Sequence, residues 1–339
     1  MRNFVVKTLL FSIPLILLFA NYILLDCFRD REGDIARMDY IFFEKGYHDR
    51  LNNFDTSYHV SNIEIDSIPD SCDVLCFGDS FSDKHPYRYQ EPIGVCLNTN
   101  ILNVLYNKDY SPDDAALSFL TYAPQNKLPK LIIVENIERA MVPWLYWLNF
   151  DNPPSLEAMA RGKKHSSSSP RKHIDEEMLS YYQRLTVNEP KSIRSCLNQS
   201  FFSEKYHPDY LYSYYEDTIH YTDIQLKEAT RNISRLHELA ARRYVKLVFL
   251  AIPNKSTLYA NHIIDNHYFY TPLDETTLFD TMPFVYNALP LLRRLADGGT
   301  LDIFYSDDTH WTPKTAHAVG IALSETIQKN NLFATADRQ

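Results

Sequence analysis

Cysteine is sparse in this chain: Cys27, Cys72, Cys76, Cys96 and Cys196 share no metal-binding spacing. Cys72 and Cys76, four residues apart on one predicted strand, would lie about 13 Å apart, too far for a disulfide. An odd number in an exported chain leaves at least one thiol unpaired, and most of the five are expected to be small buried residues. Positive charge is also short. Lys and Arg number 34 against 43 Asp and Glu, a net charge of −9, so nothing points to nucleic acid. No internal repeat is apparent.

What remains is globular in character. With 339 residues, 45% hydrophobic and 23% charged, the chain can bury a sizeable core. Its aromatic share of 14% is high. Core and interface packing is the first explanation for that, and stacking surfaces for sugar rings the second.

From Thr8 to Leu25 no charge interrupts an apolar run, with Arg2 and Lys7 ahead of it. Eighteen such residues would rise about 27 Å as a helix, enough to cross a hydrocarbon core with help from the flanks. No A-x-A-like cleavage site precedes Asp26, and Asp26 is a poor neighbour for a lipid-modified Cys27. The expectation is an uncleaved anchor over 1–27. It would leave the N-terminus cytoplasmic and the rest periplasmic or extracellular, although Arg29, Arg31 and Arg37 beyond the run make the charge asymmetry slight.

A charged connector (28–70) follows, then a domain over 71–335. Four short apolar runs, Asp73–Phe77, Ile101–Leu105, Lys130–Val134 and Val245–Ile252, end at or near Gly, Pro or polar residues, as buried parallel strands do. Pro112–Tyr122 reads as a helix. Ile224, Leu226, Ala229, Ile233, Leu236, Leu239 and Ala240 recur at near-helical spacing. Alternating strands and helices predict a three-layer α/β/α fold around a mostly parallel sheet. Residues 161–173 are Ser-rich and basic, an expected exposed loop within an aromatic-rich insertion at about 141–222.

The chemistry sits at two places. Gly78-Asp79-Ser80-Phe81-Ser82 follows the first strand, where loops of an open α/β sheet carry the site. A serine there, opening a helix, has an exposed hydroxyl and a backbone N–H free to hold an oxyanion. By itself the tripeptide is no more than a turn and an N-cap. Near the other end, Ser306-Asp307-Asp308-Thr309-His310-Trp311-Thr312-Pro313 places His310 just before a helix whose first position is Pro313. A serine needs a base, and the base needs an acid to fix its tautomer. Ser80, His310 and either Asp307 or Asp308 supply all three roles. A metal site from Asp307, Asp308, His310 and His317 would leave the serine motif unexplained, so no metal or cofactor is assigned.

Gly78-Asp79-Ser80 and the late Asp/His pair resemble the SGNH (GDSL) hydrolase superfamily. The fuller GDSFS and DTHWT patterns are similar to the SGNH-like domain of alginate O-acetyltransferases and related polysaccharide acetylation proteins. Ile132–Arg139 and the strand ending in Ile252-Pro253-Asn254-Lys255-Ser256 agree, and the resemblance spans about 70–339. It implies an Asp-x-His spacing, which favours Asp308 over Asp307. The superfamily's Gly-x-Asn-Asp block is absent, its place taken by Glu135-Asn136-Ile137-Glu138-Arg139, and Asn107 stands where a second-block glycine would. Asn107, Asn136 and Arg139 are therefore the candidate oxyanion donors, with an ion-pair role the alternative for Arg139. The resemblance implies an O-acetyltransferase that loads Ser80 and passes the acetyl group to an exported or cell-surface polysaccharide. A multispanning membrane O-acyltransferase would supply that group. The alternatives are a carbohydrate esterase using the same residues with water, and a non-catalytic glycan-binding scaffold.

Overall fold

The computed structural model describes residues 7–8, 11–20, 33–35, 43–44, 46–52, 59–70, 72–83, 88–105, 109–162, 192–218, 221–264, 273 and 282–333. In chain order its main elements are α1 (Tyr47–Leu51), β1 (Val60–Ile63), β2 (Val74–Phe77), α2 (Ser80–Asp83), α3 (Gln90–Leu97), β3 (Ile101–Val104) and α4 (Pro112–Tyr122). They continue with β4 (Leu131–Ile137), α5 (Glu138–Tyr146), α6 (Leu156–Gly162), β5 (Ser192–Cys196), β6 (Tyr210–Tyr214) and α7 (Asp223–Arg242). The last are β7 (Lys246–Ile252), α8 (Lys255–Tyr259), β8 (Val285–Asn287), α9 (Leu289–Asp297) and α10 (Pro313–Lys329).

Among the described residues six strands form one sheet in the order β1-β3-β2-β4-β7-β8, every pairing parallel. The four predicted apolar runs are its middle: β2 and β4 are buried at every position, and β7 at all but Lys246. Both edges escaped the sequence reading for a physical reason. Val-Ser-Asn-Ile in β1 is half-polar and partly exposed, and β8 is only three residues long, so neither carries the continuous apolar signal of a buried strand. β1 also draws the stretch read as a connector into the sheet, and α1 of that stretch buries Tyr47 and His48.

Helix boundaries follow their caps. α4 begins at Pro112 because Ser111 accepts from the Asp114 N–H in a reciprocal capping box, with proline at the first helical position. α7 starts likewise on a Thr222–Gln225 box and buries Leu226, Ala229, Ile233, Leu236 and Ala240. The β2-α3-β3 and β3-α4-β4 crossovers run in opposite directions along the sheet, so right-handed connections put α3 and α4 on opposite faces. α10 packs beside α3, and α5 and α7 pack together on the α4 side. The crevice between the carboxyl ends of β2 and β4, where the connections diverge, is the switch point at which open α/β sheets bind ligands.

Within the aromatic-rich stretch, β5 and β6 pair antiparallel as a separate two-stranded sheet. Tyr212 is buried there, whereas Trp147 and Tyr206 are exposed. Of the loop expected at 161–173, residues 163–173 lie outside the described residues. The cysteines divide: Cys76 is buried, Cys72 half-buried, and Cys96 and Cys196 are exposed, against the expectation that most are buried. Cys27 lies outside the described residues.

The membrane anchor expected over 1–27 is corrected, and with it the placement in the cell membrane. Among the described residues no helix is long and apolar enough to cross a membrane. The described helical residues 11–20 span about 15 Å, and residues 9–10 and 21–25 of the apolar run lie outside the described residues.

Candidate active site

β2 ends at Phe77, Gly78 makes the turn, and Ser80 opens α2 at the switch point. The turn is tightly packed. A Cβ on Gly78 would meet Ser82 Oγ at 2.0 Å and Glu135 Oε2 at 2.6 Å, so the close approach itself requires glycine. Glu135, wholly buried on β4, underpins the turn by accepting from the Asp79 N–H (3.1 Å) and the Ser82 hydroxyl (2.8 Å). Burial, then the neighbouring Asp79 charge, pushes the Glu135 carboxyl well above its ordinary range. Asp79 accepts from the Phe81 N–H (2.9 Å) and so shapes the turn that presents Ser80.

The opposing loop is a tight reversal. Phe304 and Trp311 bridge antiparallel, the Tyr305 N–H donates to the His310 carbonyl (3.1 Å), and the Thr312 N–H donates to the Ile303 carbonyl (3.0 Å). Trp311 is buried edge-on against Phe81 and Tyr89, which ties the loop to the serine turn. Pro313 opens α10 directly afterwards, as the sequence predicts.

These two segments place three predicted residues in line. Ser80 Oγ lies 2.8 Å from His310 Nε2, and His310 Nδ1 lies 2.5 Å from Asp308 Oδ1. Ser80 is half-buried, whereas Asp308 and His310 are each 4% exposed. Burial opposes the Asp308 charge. The His310 charge and hydrogen bonds from the His310 ring and backbone N–H outweigh it and hold the carboxylate below its ordinary range. A proton can pass from the Ser80 hydroxyl to Nε2 while the carboxylate fixes Nδ1–H.

Asp307 points elsewhere, with its Oδ1 2.6 Å from His48 Nε2. The two candidate acids are thus separated by geometry, and the metal set of Asp307, Asp308, His310 and His317 is not brought together. The described residues that do converge are Asp34, Asp308 and His310, and the 2.5 Å Nδ1–Oδ1 contact there is a hydrogen-bond distance.

The other candidates fare differently. Asn107 lies outside the described residues. Asn136 is buried on β4 and donates its amide to Asp113 Oδ2 (2.8 Å), a carboxyl that burial pushes up to about 8. Arg139 lies 3.6 Å from Asp217 Oδ1, with its guanidinium 5.0 Å from the centre of the Tyr214 ring. Burial works against its charge, but Asp217, Tyr214, Asp79 and Asp34 together sustain it. Its contacts are those of an ion-pair partner beside the site.

The Ile-Pro-Asn-Lys-Ser stretch carries no sequence signal for the role of Lys255. Its ammonium is buried and donates to the carbonyls of Tyr305 (2.8 Å), Ser306 (2.9 Å) and Asp308 (3.1 Å), pinning the acid–base loop to the end of β7. Burial lowers it to about 8, with Asp307, Asp34 and Asp308 opposing that shift. Lys255→Met strands three buried carbonyls, each costing roughly 1 kcal/mol or more. We expect a stability loss of about 3 kcal/mol, measured as a shift of the urea midpoint.

Residues 207–339 match the family model described as SGNH hydrolase-like domain, acetyltransferase AlgX. The matched stretch carries Asp307, Asp308 and His310, while Ser80 lies before it. No curated protein and no solved structure matches the chain. The family match bears out the resemblance to the AlgX-like branch of the SGNH hydrolases. The description of the matched family points to acyltransferase or esterase chemistry.

Proposed function

We propose that the protein is an O-acetyltransferase that carries an acetyl group on Ser80 and delivers it to a polysaccharide hydroxyl. The observation that carries this reading is the hydrogen-bonded line from Ser80 through His310 to Asp308. The family match adds support for the acyl chemistry, and the polysaccharide acceptor is what the resemblance to the polysaccharide acetylation proteins implies.

The reaction runs in two halves. His310 Nε2 takes the Ser80 proton as Oγ attacks the acetyl carbonyl, and the negative oxygen faces the backbone N–H that opens α2. Collapse expels the donor's alkoxide, which leaves with the proton from His310. A sugar hydroxyl then gives its proton to His310 and attacks the acetyl-serine. The tetrahedral intermediate releases the acetylated sugar, and His310 returns the proton to Ser80. Asp308 keeps its charge throughout and stabilises the imidazolium. The donor in cells, on this reading, is a multispanning membrane O-acyltransferase.

The test uses the full chain with a chromogenic acetyl ester, with and without an oligosaccharide acceptor, and mass spectrometry of protein and sugar. An acetyl adduct that moves to sugar is the expected result. Release as acetate alone, with sugar in excess, would replace the transferase by the esterase. Failure of every acetyl donor to form an adduct or turn over would leave the scaffold reading.

A further inference from the structure

A strap that includes Gly33, Asp34 and Ile35, from the sequence before the sheet, closes the back of the acid–base loop. The Asp34 N–H donates to Asp308 Oδ2 (3.2 Å), leaving Oδ1 for the His310 ring and backbone N–H. Both oxygens of the acid are thereby fixed. The Asp34 carboxyl in turn accepts from the Thr309 N–H (3.0 Å), the Thr309 hydroxyl (2.7 Å) and the Tyr214 hydroxyl (2.6 Å). On its far side the Ile35 N–H donates to the Asp307 carbonyl (3.1 Å). The strap lies so close that a Cβ on Gly33 would sit 2.2 Å from the Asp307 oxygen, a second approach only glycine permits.

We infer that Asp34 is a positioning residue of the candidate triad, holding Asp308 and Thr309 so that His310 Nε2 faces Ser80. The inference rests on the acyl-transfer reading above. A carboxyl buried beside another carboxylate is costly, and no fold-level need explains it, because uncharged side chains could cap the Thr309 N–H. Burial and then the Asp308 charge push Asp34 above its ordinary range, opposed by His310, Tyr214 and Thr309. The charged or titratable groups facing it are Asp308 and His310 from the loop before α10, Tyr214 from β6, Arg139 from α5 and Lys255 from α8. When His310 takes the Ser80 proton, the Asp34 carboxyl is the second acidic group close to the imidazolium.

Two variants test this. Asp34→Asn keeps one acceptor oxygen, and the Thr309 and Tyr214 hydroxyls can each rotate to accept from its amide, so the strap is retained while the charge is removed. Tyr214→Phe deletes only the hydroxyl that steadies the carboxylate. With the full chain and a chromogenic acetyl ester, kcat for Asp34→Asn is expected to fall about tenfold with KM within about twofold. The acid limb of its pH–rate profile should move to lower pH, because one anion near the imidazolium is gone. Tyr214→Phe should move both in the same direction, by about threefold in kcat.

A profile for Asp34→Asn that superimposes on wild type overturns the inference. So does a rise in KM alone, or a loss of kcat in both variants that tracks lost stability with the acid limb unmoved. Turnover that survives Ser80→Ala overturns the acyl-transfer reading itself, and this inference with it, an outcome the Asp34 variants cannot mimic.

Discussion

Ser80→Ala is expected to abolish acetyl-ester turnover, by about four to six orders of magnitude, while leaving the fold intact. The size follows from the role. Without Oγ there is no atom to carry the acetyl group, and the 2.8 Å contact with His310 Nε2 is lost with it. Residual rate would come only from water activated by His310 against the α2 N–H. The structural cost is small, because Ser80 is half-buried and its side chain is one hydroxyl larger than alanine. We expect a stability change below about 1 kcal/mol, measured by urea unfolding beside the kinetics. Intact-protein mass spectrometry supplies the second readout: an acetyl adduct on wild type that is missing from Ser80→Ala. An adduct of equal yield on the variant would place the nucleophile elsewhere.

Much of this site was legible before the fold was known, because its parts are local. Gly78-Asp79-Ser80 needs only a strand before it and a helix after it, and Val74–Phe77 announces its strand by being apolar throughout. Ser111-Pro112 marks a helix start by a local capping box, and Pro313 marks another by standing at the first helical position, although the Thr312 hydroxyl does not cap that helix. Other parts were invisible for equally physical reasons. Asp34 reaches Asp308 across 274 residues of sequence, and neither Gly-Asp-Ile nor its charged surroundings signal a partner. Lys255 looks like a surface residue until the strand before it delivers its ammonium to three carbonyls. The edge strands lacked the apolar continuity of their neighbours, since each is covered on fewer sides. The apolar run near the N-terminus shows the converse error. There the residue types of a spanning helix are present, but among the described residues no helix is long and apolar enough to cross a membrane.

The choice between adjacent aspartates could not be read from sequence either, since in a loop the backbone decides which side chain faces the ring. Geometry makes the choice testable. Asp308→Asn is expected to lower kcat by about 10⁴-fold, because an amide opposite Nδ1 can donate rather than accept and so favours the wrong tautomer. Nε2 would then carry the proton and could not take one from Ser80. Asp307→Asn should behave differently. Asp307 meets the His48 ring at 2.6 Å, and that ring stacks on Tyr305 with centroids 4.1 Å apart. Loss of the carboxylate therefore falls on the buried contact between the loop and α1. The expected result is a stability loss of about 1–3 kcal/mol, with kcat of the folded protein within about tenfold of wild type. Measuring both variants in one pH series separates tautomer control from support. The Asp308→Asn defect should persist at every pH where the protein is folded, since no titration restores the acceptor. Equal defects in kcat for the two variants would mean that the loop acts as one unit and that neither aspartate alone orients His310.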